Sequence, residues 1–260
     1  DLEIIDENVE EIDYDQDYQL VAVSTMTHQA VRAYQICAEF RKRGVHTVVG
    51  GIHPSVEPDE AEGFADTVVV GEAESIWPAL IRDLREGRPR AVYRATEYPP
   101  VEIEQIPTPR YDLLADKGHK MVWLNTSRGC PHDCEFCVAT RFFGARNRPK
   151  TQEQVCREVE SVKSTFPRVL IGFGDNNMFL GRSFSRDLLS RFVDLRFAWV
   201  AQSDISIGED EQFLELLFRA GCRTLFIGFE TLNRASLAAI YRGEGGGLKS
   251  SYLDRYSEMV

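Results

Sequence analysis

The sequence predicts an α/β chain made of two parallel sheets in succession, and three observations predict it. Short apolar runs alternate with amphipathic helical stretches up to about residue 93, as strands joined by helical crossovers do. From Tyr98 to Lys120 that periodicity lapses and prolines cluster at Pro99, Pro100, Pro107 and Pro109, which reads as a linker. A second alternation of the same kind begins at Met121. The expected units are therefore 1–97, a linker over 98–120, and 121–260.

In the first unit Leu20-Val21-Ala22-Val23-Ser24 reads as a buried strand. Residues 30–43 read as a helix with Val31, Cys37 and Phe40 among its apolar members, ended by Gly44. Thr47-Val48-Val49 leads into Gly50-Gly51, and Thr67-Val68-Val69-Val70 into Gly71-Glu72. Ile76, Leu80, Ile81 and Leu84 give one stripe of a further helix that Gly87 ends. Glycine directly after a strand lets backbone approach a ligand at the carboxyl edge of a sheet, where open α/β folds bind their ligands. It serves an ordinary strand-to-loop turn equally well.

In the second unit strands are expected at Met121 to Asn125, Val169 to Phe173, Phe197 to Val200 and Thr224 to Phe229. Thr151, three residues before Gln154, opens a helix as a capping box, with Val155, Val159, Val162 and Phe166 as its stripe. Further helices are expected near 184–193 and 210–219. Four strand–helix units in series point to an open or closed β/α barrel, whose chemistry sits at the carboxyl ends of the strands. The chain opens without an obvious first strand for its first sheet and stops in a helical stretch after the fourth barrel unit, which reads as a fragment of a longer protein.

Composition bounds the partners. The formal net charge of −11 argues against a sequence-independent grip on nucleic-acid phosphates. No apolar run approaches the roughly 18–20 residues that span a bilayer, and the opening residues lack a secretory signal. Three of the six cysteines crowd one loop while Cys37, Cys156 and Cys222 are scattered, unlike a secreted disulfide framework. A reducing, cytoplasmic setting is expected.

That loop reads Thr126-Ser127-Arg128-Gly129-Cys130-Pro131-His132-Asp133-Cys134-Glu135-Phe136-Cys137 and follows the first strand of the second unit. Three thiolates at x3 and x2 spacing suit three corners of a cubane iron–sulfur cluster and leave its fourth iron without a protein ligand. A structural zinc completed by His132 or Cys156 is the competing reading. Cys37 and Cys222 read as core thiols. Arg141, Arg146, Arg148 and Lys150, just after the loop, read as a solvated basic edge.

The x3, x2 spacing with Phe136 before the last cysteine resembles the signature of the radical S-adenosylmethionine (SAM) superfamily. Gly50-Gly51-Ile52-His53-Pro54 with Val68-Val69-Val70-Gly71-Glu72-Ala73-Glu74 resembles the Rossmann-like cobalamin-binding domain that precedes the radical core in one large subgroup. That subgroup includes hopanoid methylases and ring-forming enzymes of the magnesium-protoporphyrin cyclase type. The resemblance implies a partial cobalamin-type sheet followed by a partial (β/α)6 radical SAM barrel. It implies that Cys130, Cys134 and Cys137 bind a 4Fe–4S cluster whose open iron chelates SAM, and that Phe136 packs near the adenine. Asp175 and Asn176, Gln202 and Ser203, and Glu230, at three strand ends, would contact SAM. Ser24, Thr25, Gly50, Gly51, Gly71 and Glu72 would line a corrinoid pocket.

The Asp-x-His-x-x-Gly motif that supplies an axial histidine in other cobalamin proteins is absent. His28 and His53 lie near loop ends but lack its flanking Asp and Gly. The implied chemistry is reductive cleavage of SAM to a 5′-deoxyadenosyl radical, with an external one-electron donor such as flavodoxin or ferredoxin and a small-molecule or lipid substrate. A cobalamin-dependent methyltransferase is the first reading. A radical SAM cyclase or other carbon-skeleton enzyme without methyl transfer is the second, and a non-enzymatic zinc module the third.

Overall fold

The computed structural model describes residues 1–115, 117–132, 134–240 and 252–256. The chain forms two compact units, Glu11–Ile106 and Asp1–Glu10 with Pro107–Val260. The stretch expected to be a linker is thus divided between them. Ile103, 4% exposed, belongs to the first unit, and Tyr111, 7% exposed, joins the core of the second. Single anchors in short turns leave no periodic signal, which is why the segment reads as linker. Residues 1–10 likewise fall in the second unit rather than the first, where Lys117 Nζ donates to Ile4 O (2.6 Å) and Glu10 Oε1 (2.7 Å).

In the first unit the elements run β1 (Leu20–Ser24), α1 (Ala30–Lys42), β2 (His46–Gly50), α2 (Ile52–Val56), α3 (Pro58–Glu62), β3 (Thr67–Val70), α4 (Trp77–Arg85) and β4 (Val92–Arg94). The strands pair in parallel in the order β1-β2-β3-β4. Helix α1 buries Ala30, Ala33, Tyr34, Cys37 and Phe40, an i, i+3, i+4, i+7 stripe. Val31 was expected among its apolar members but is 72% exposed, because one step along a helix turns a residue about 100° away from the stripe. Val49 and Val68 pack with α1, while Val48 and Val69 pack with Ile76 and Leu80 of the α4 region, so alternate strand residues serve opposite faces. β4 escapes sequence reading because it is three residues long with only Tyr93 buried.

The second unit contains β5 (Met121–Leu124), β6 (Ser127–Arg128), α5 (Ala139–Phe143), β7 (Arg148–Pro149), α6 (Gln152–Thr165), β8 (Leu170–Phe173), α7 (Arg182–Leu195), β9 (Trp199–Asp204), α8 (Glu211–Arg219), β10 (Cys222–Gly228) and α9 (Arg234–Ile240). β5, β8, β9 and β10 form a parallel sheet in the order β10-β9-β8-β5. The expected helix start holds, since Thr151 Oγ1 accepts the Gln154 N–H at 3.1 Å, and Val155, Val159, Val162 and Phe166 all enter the core. There they meet Phe173, Phe192 and Trp199, whose rings pack with centroids 5.5–5.9 Å apart. On the other face of the sheet Trp123 is 54% and Phe226 55% exposed among the described residues.

Two features differ from expectation. The third strand, expected over Phe197 to Val200 with Gln202 and Ser203 at its end, runs to Asp204, because Gln202, Ser203 and Asp204 continue the ladder against Phe226, Ile227 and Gly228. A small antiparallel hairpin, β6 with β7, closes the base of the cysteine loop. Its two-residue strands are too short for any pattern to announce them.

Candidate functional site

Each sheet gathers predicted residues at its own carboxyl edge. In the second unit the cysteine loop leaves the end of β5 and returns through α5 to β7. Gly129 makes the close turn possible. Its φ is +86°, and a Cβ there would stand 2.1 Å from Arg146 O. The Cys130 N–H reaches Gly144 O at 3.3 Å, Thr140 Oγ1 lies 3.1 Å from His132 O, and the Cys137 N–H donates to Cys134 O at 3.0 Å. Cys130 is buried, whereas Cys134 and Cys137 are half-buried. None of the three is in a disulfide. Phe136 is 60% exposed on the loop surface.

The donor set fits a cluster in chemistry: three thiols within eight residues, held by the Thr140 hydroxyl of α5 and by a backbone bond to Gly144 before β7. Among the described residues, no three Cys, His, Asp or Glu side chains converge as a preformed metal site. Of the two fourth ligands of the zinc alternative, Cys156 packs against the hydrophobic core of the sheet, while His132 lies in the loop itself.

Asp175, expected to contact SAM, is engaged by the chain itself. It is 1% exposed and its carboxylate accepts from Thr126 N (2.8 Å) and Oγ1 (2.8 Å) and from Ser127 N (2.6 Å) and Oγ (2.8 Å). Burial pushes its pKa up against those donors. Asp175 therefore fastens the end of β8 to the start of the cysteine loop. Its neighbour Asn176 is exposed. The same alternation divides the next pair: Gln202 is exposed, while Ser203 is 7% exposed with its Oγ bonded to Asp204 O (3.0 Å). Of these four residues only Asn176 and Gln202 present side chains to solvent. Glu230 is exposed too, and its φ of 63° is a left-handed conformation that costs a non-glycine residue on the order of 1 kcal/mol.

Sequence reading missed the charges beneath the loop. Of the expected basic edge, Arg141 and Arg146 are exposed, but Lys150 is buried, its Nζ 2.7 and 2.6 Å from the two oxygens of buried Glu158. Burial raises the Glu158 carboxyl above its usual range although Lys150 bonds to it. The Lys150 N–H also donates to Thr126 O at 2.8 Å. Asp204 was missed because the third strand was ended too early. Burial works against its charge, yet contacts from His132, Ser206 and Asn177 hold its carboxyl well below the usual range.

In the first unit the carboxyl edge is knitted to itself. The Thr25 N–H donates to Gly50 O (2.9 Å), Ser55 Oγ donates to Gly51 O (2.7 Å), and the Gly71 N–H donates to Ser55 Oγ (2.9 Å). Gly51 has φ +100°, and a Cβ on it would lie 2.7 Å from Thr25 O, so the chain's own backbone accounts for this glycine. Thr25, expected to line a pocket, is 2% exposed, whereas Ser24 is exposed and Gly50, Gly51, Gly71 and Glu72 are half-buried. His53 is buried, with Nε2 3.1 Å from Tyr34 Oη and 3.3 Å from Glu60 Oε1. It is thereby occupied as a hydrogen-bonding residue.

Comparison with known proteins follows the same division. Residues 1–81 match the family model for the B12 binding domain, and residues 124–249 match that for the Radical SAM superfamily. Bacteriochlorophyllide d C-8(2)-methyltransferase of Chlorobaculum tepidum is 30% identical, over 100% of this chain and 59% of its own length. Bacteriochlorophyllide d C-12(1)-methyltransferase of the same organism is 28% identical, over 94% of this chain and 53% of its own length. The chain thus spans somewhat more than half of these two curated relatives. Among solved structures, the radical SAM methyltransferase TsrM from Kitasatospora setae superposes with a TM-score of 0.72 at 21% identity, covering 94% of this chain and 55% of that one. That likeness concerns the fold.

Proposed function

We propose that this chain, whose residues 1–81 match the B12 binding domain and residues 124–249 the Radical SAM superfamily, serves cobalamin-dependent methyl transfer from SAM to a small-molecule or lipid substrate. The observation that carries this reading is the Cys130-x3-Cys134-x2-Cys137 loop at the carboxyl end of β5, beside the ends of β8 and β9 in a parallel sheet. The names of the two bacteriochlorophyllide relatives favour methyl transfer over a cyclase.

In this reading Cys130, Cys134 and Cys137 would hold a 4Fe–4S cluster, which would supply one-electron reduction of SAM, the electron coming from an external donor such as flavodoxin or ferredoxin. Phe136 offers an exposed apolar surface for the adenine. Asn176, Gln202 and Glu230, the exposed polar members of the three strand ends, bind and orient SAM. Asp175 and Ser203 keep structural roles. Ser24 and the backbone of Gly50, Gly51 and Gly71 would meet the corrinoid, while His53 is engaged with Tyr34 and Glu60.

The test is anaerobic reconstitution of the full-length protein with iron, sulfide and cobalamin, followed by metal and corrinoid analysis and incubation with SAM, a reductant and candidate substrates. Iron with near-stoichiometric corrinoid, S-adenosylhomocysteine and a product heavier by one methylene supports methyl transfer. Iron and 5′-deoxyadenosine without corrinoid or methylated product shifts the reading to the non-methylating class. Zinc in place of iron overturns both.

A further inference from the structure

His132 lies between Cys130 and Cys134, and its Nε2 is buried without a hydrogen-bond partner among the described residues. Asp204 Oδ2 stands 3.7 Å from it at the end of β9. Asp204 is itself fixed. Its Oδ1 accepts the Ser206 N–H at 2.8 Å and its Oδ2 accepts Asn177 Nδ2 at 2.5 Å, while Asn177 Oδ1 takes the Phe179 N–H at 3.2 Å. The carboxylate is 12% exposed and the imidazole 26% exposed, so little water competes for the contact. On the loop side, Thr140 Oγ1 approaches both Cys130 O (3.3 Å) and His132 O (3.1 Å), so a force on His132 acts on the backbone of the first cysteine.

The geometry points to Asp204 as a positioning residue that holds the cysteine loop through His132. The loop then has two carboxylate anchors from adjacent strand ends. Asp175 of the β8 end grips Thr126 and Ser127 before the first cysteine, and Asp204 of the β9 end grips the segment between the first two. A tether inside the cysteine triplet sets the separation of two thiols directly, where a tether ahead of it sets only the loop's origin. Asp204 reaches neither thiol in this account and acts through the imidazole, as groups that orient metal ligands from behind do. The inference rests on the proposed cluster for its purpose, but the tether itself is a property of the polypeptide.

The experiment uses the whole chain in four forms: unchanged, Asp204→Asn, His132→Leu, and both together. In iron-free protein, alkylation of Cys130 is followed by mass spectrometry. Asp204→Asn is expected to speed it about tenfold, the lower end of the effect of removing an outer-shell partner, and to add nothing in the His132→Leu background. After reconstitution with iron and sulfide, the same coupling should appear in the rate of iron loss to a ferrous chelator, and Asp204→Asn should alter the EPR g-values of the reduced cluster. Asp204→Glu should restore part of both. Equal acceleration by Asp204→Asn with and without His132, or no acceleration at all, overturns the tether, since the carboxylate would then act on the fold through Asn177 and Ser206 alone. Coupled alkylation in a chain that takes up no iron upholds the tether and overturns the cluster reading, so the two failures are distinct.

Discussion

Asp175 shows how one buried carboxylate decides the placement of a loop. Four donors from Thr126 and Ser127 converge on it with less than 2% of the residue exposed. Asp175→Ala leaves those donors buried and unmatched, each costing about 1–3 kcal/mol. We expect a loss of about 3–5 kcal/mol in urea unfolding followed by Trp fluorescence. The buried Lys150–Glu158 pair makes a second prediction at this scale. Lys150→Met strands Glu158 in the core and should destabilise by about 3–5 kcal/mol, whereas the double change Lys150→Met with Glu158→Leu should recover most of it, because two charges need not then be desolvated. Neither pair is legible in the sequence. Lys150 follows three exposed or half-buried arginines and looks like one more of them, and Asp175 beside Asn176 looks like a ligand pair. What separates each from its neighbours is the direction of a side chain, and that depends on which strand end or hairpin carries it.

At the scale of elements, the spacing of apolar residues carries the most information. The stripes of α1, α4 and α6 and the strands β1, β2, β3, β5 and β8 are readable because each is long enough, or apolar enough, to show a period. The hairpin of β6 and β7 is not, and it depends on backbone geometry at Gly129. Gly129→Ala places a methyl group 2.1 Å from Arg146 O in a conformation with φ +86°. The loop must open to accept it, and iron uptake on reconstitution should fall below half of the unchanged chain while the far-ultraviolet circular dichroism stays within about 10%.

In the first unit, Asp66 ties β2 to the turn before β3. Burial works against its charge, but the Thr47 N–H (2.9 Å) and Oγ1 (2.8 Å), with Arg41 Nε at 3.0 Å, hold its carboxyl below the usual range. A depressed folded value means that the contribution is complete above the unfolded pKa of about 4 and is lost as pH falls through the folded one. The stability gap between the unchanged chain and Asp66→Asn, read from urea midpoints, should therefore be constant near neutrality and shrink below about pH 4.

For the molecule as a whole, a net charge of −11 and two parallel sheets limit what the chain can hold. No helix among the described residues is long and apolar enough to cross a membrane. Retention on immobilised duplex DNA at about 0.15 M salt should be no greater than that of an acidic control protein, because neutralising phosphates requires a basic face. The division into two units was visible as a lapse in periodicity. Its boundary was not, because Ile103 and Tyr111 are single apolar anchors on opposite sides of it. Spacing along the chain was sufficient for the α/β class, the glycine turns at the edge of the first sheet and the thiol triplet, since those follow from residue type and from the periods of helix and strand. Which of two neighbouring polar residues is exposed, and that Asp175, Asp204 and Lys150 lie beneath the loop, was decided by packing across 49, 72 and 8 residues respectively. Those contacts exist only once β5, β8, β9 and α6 are assembled, and a linear sequence holds no record of which side chain then points inward.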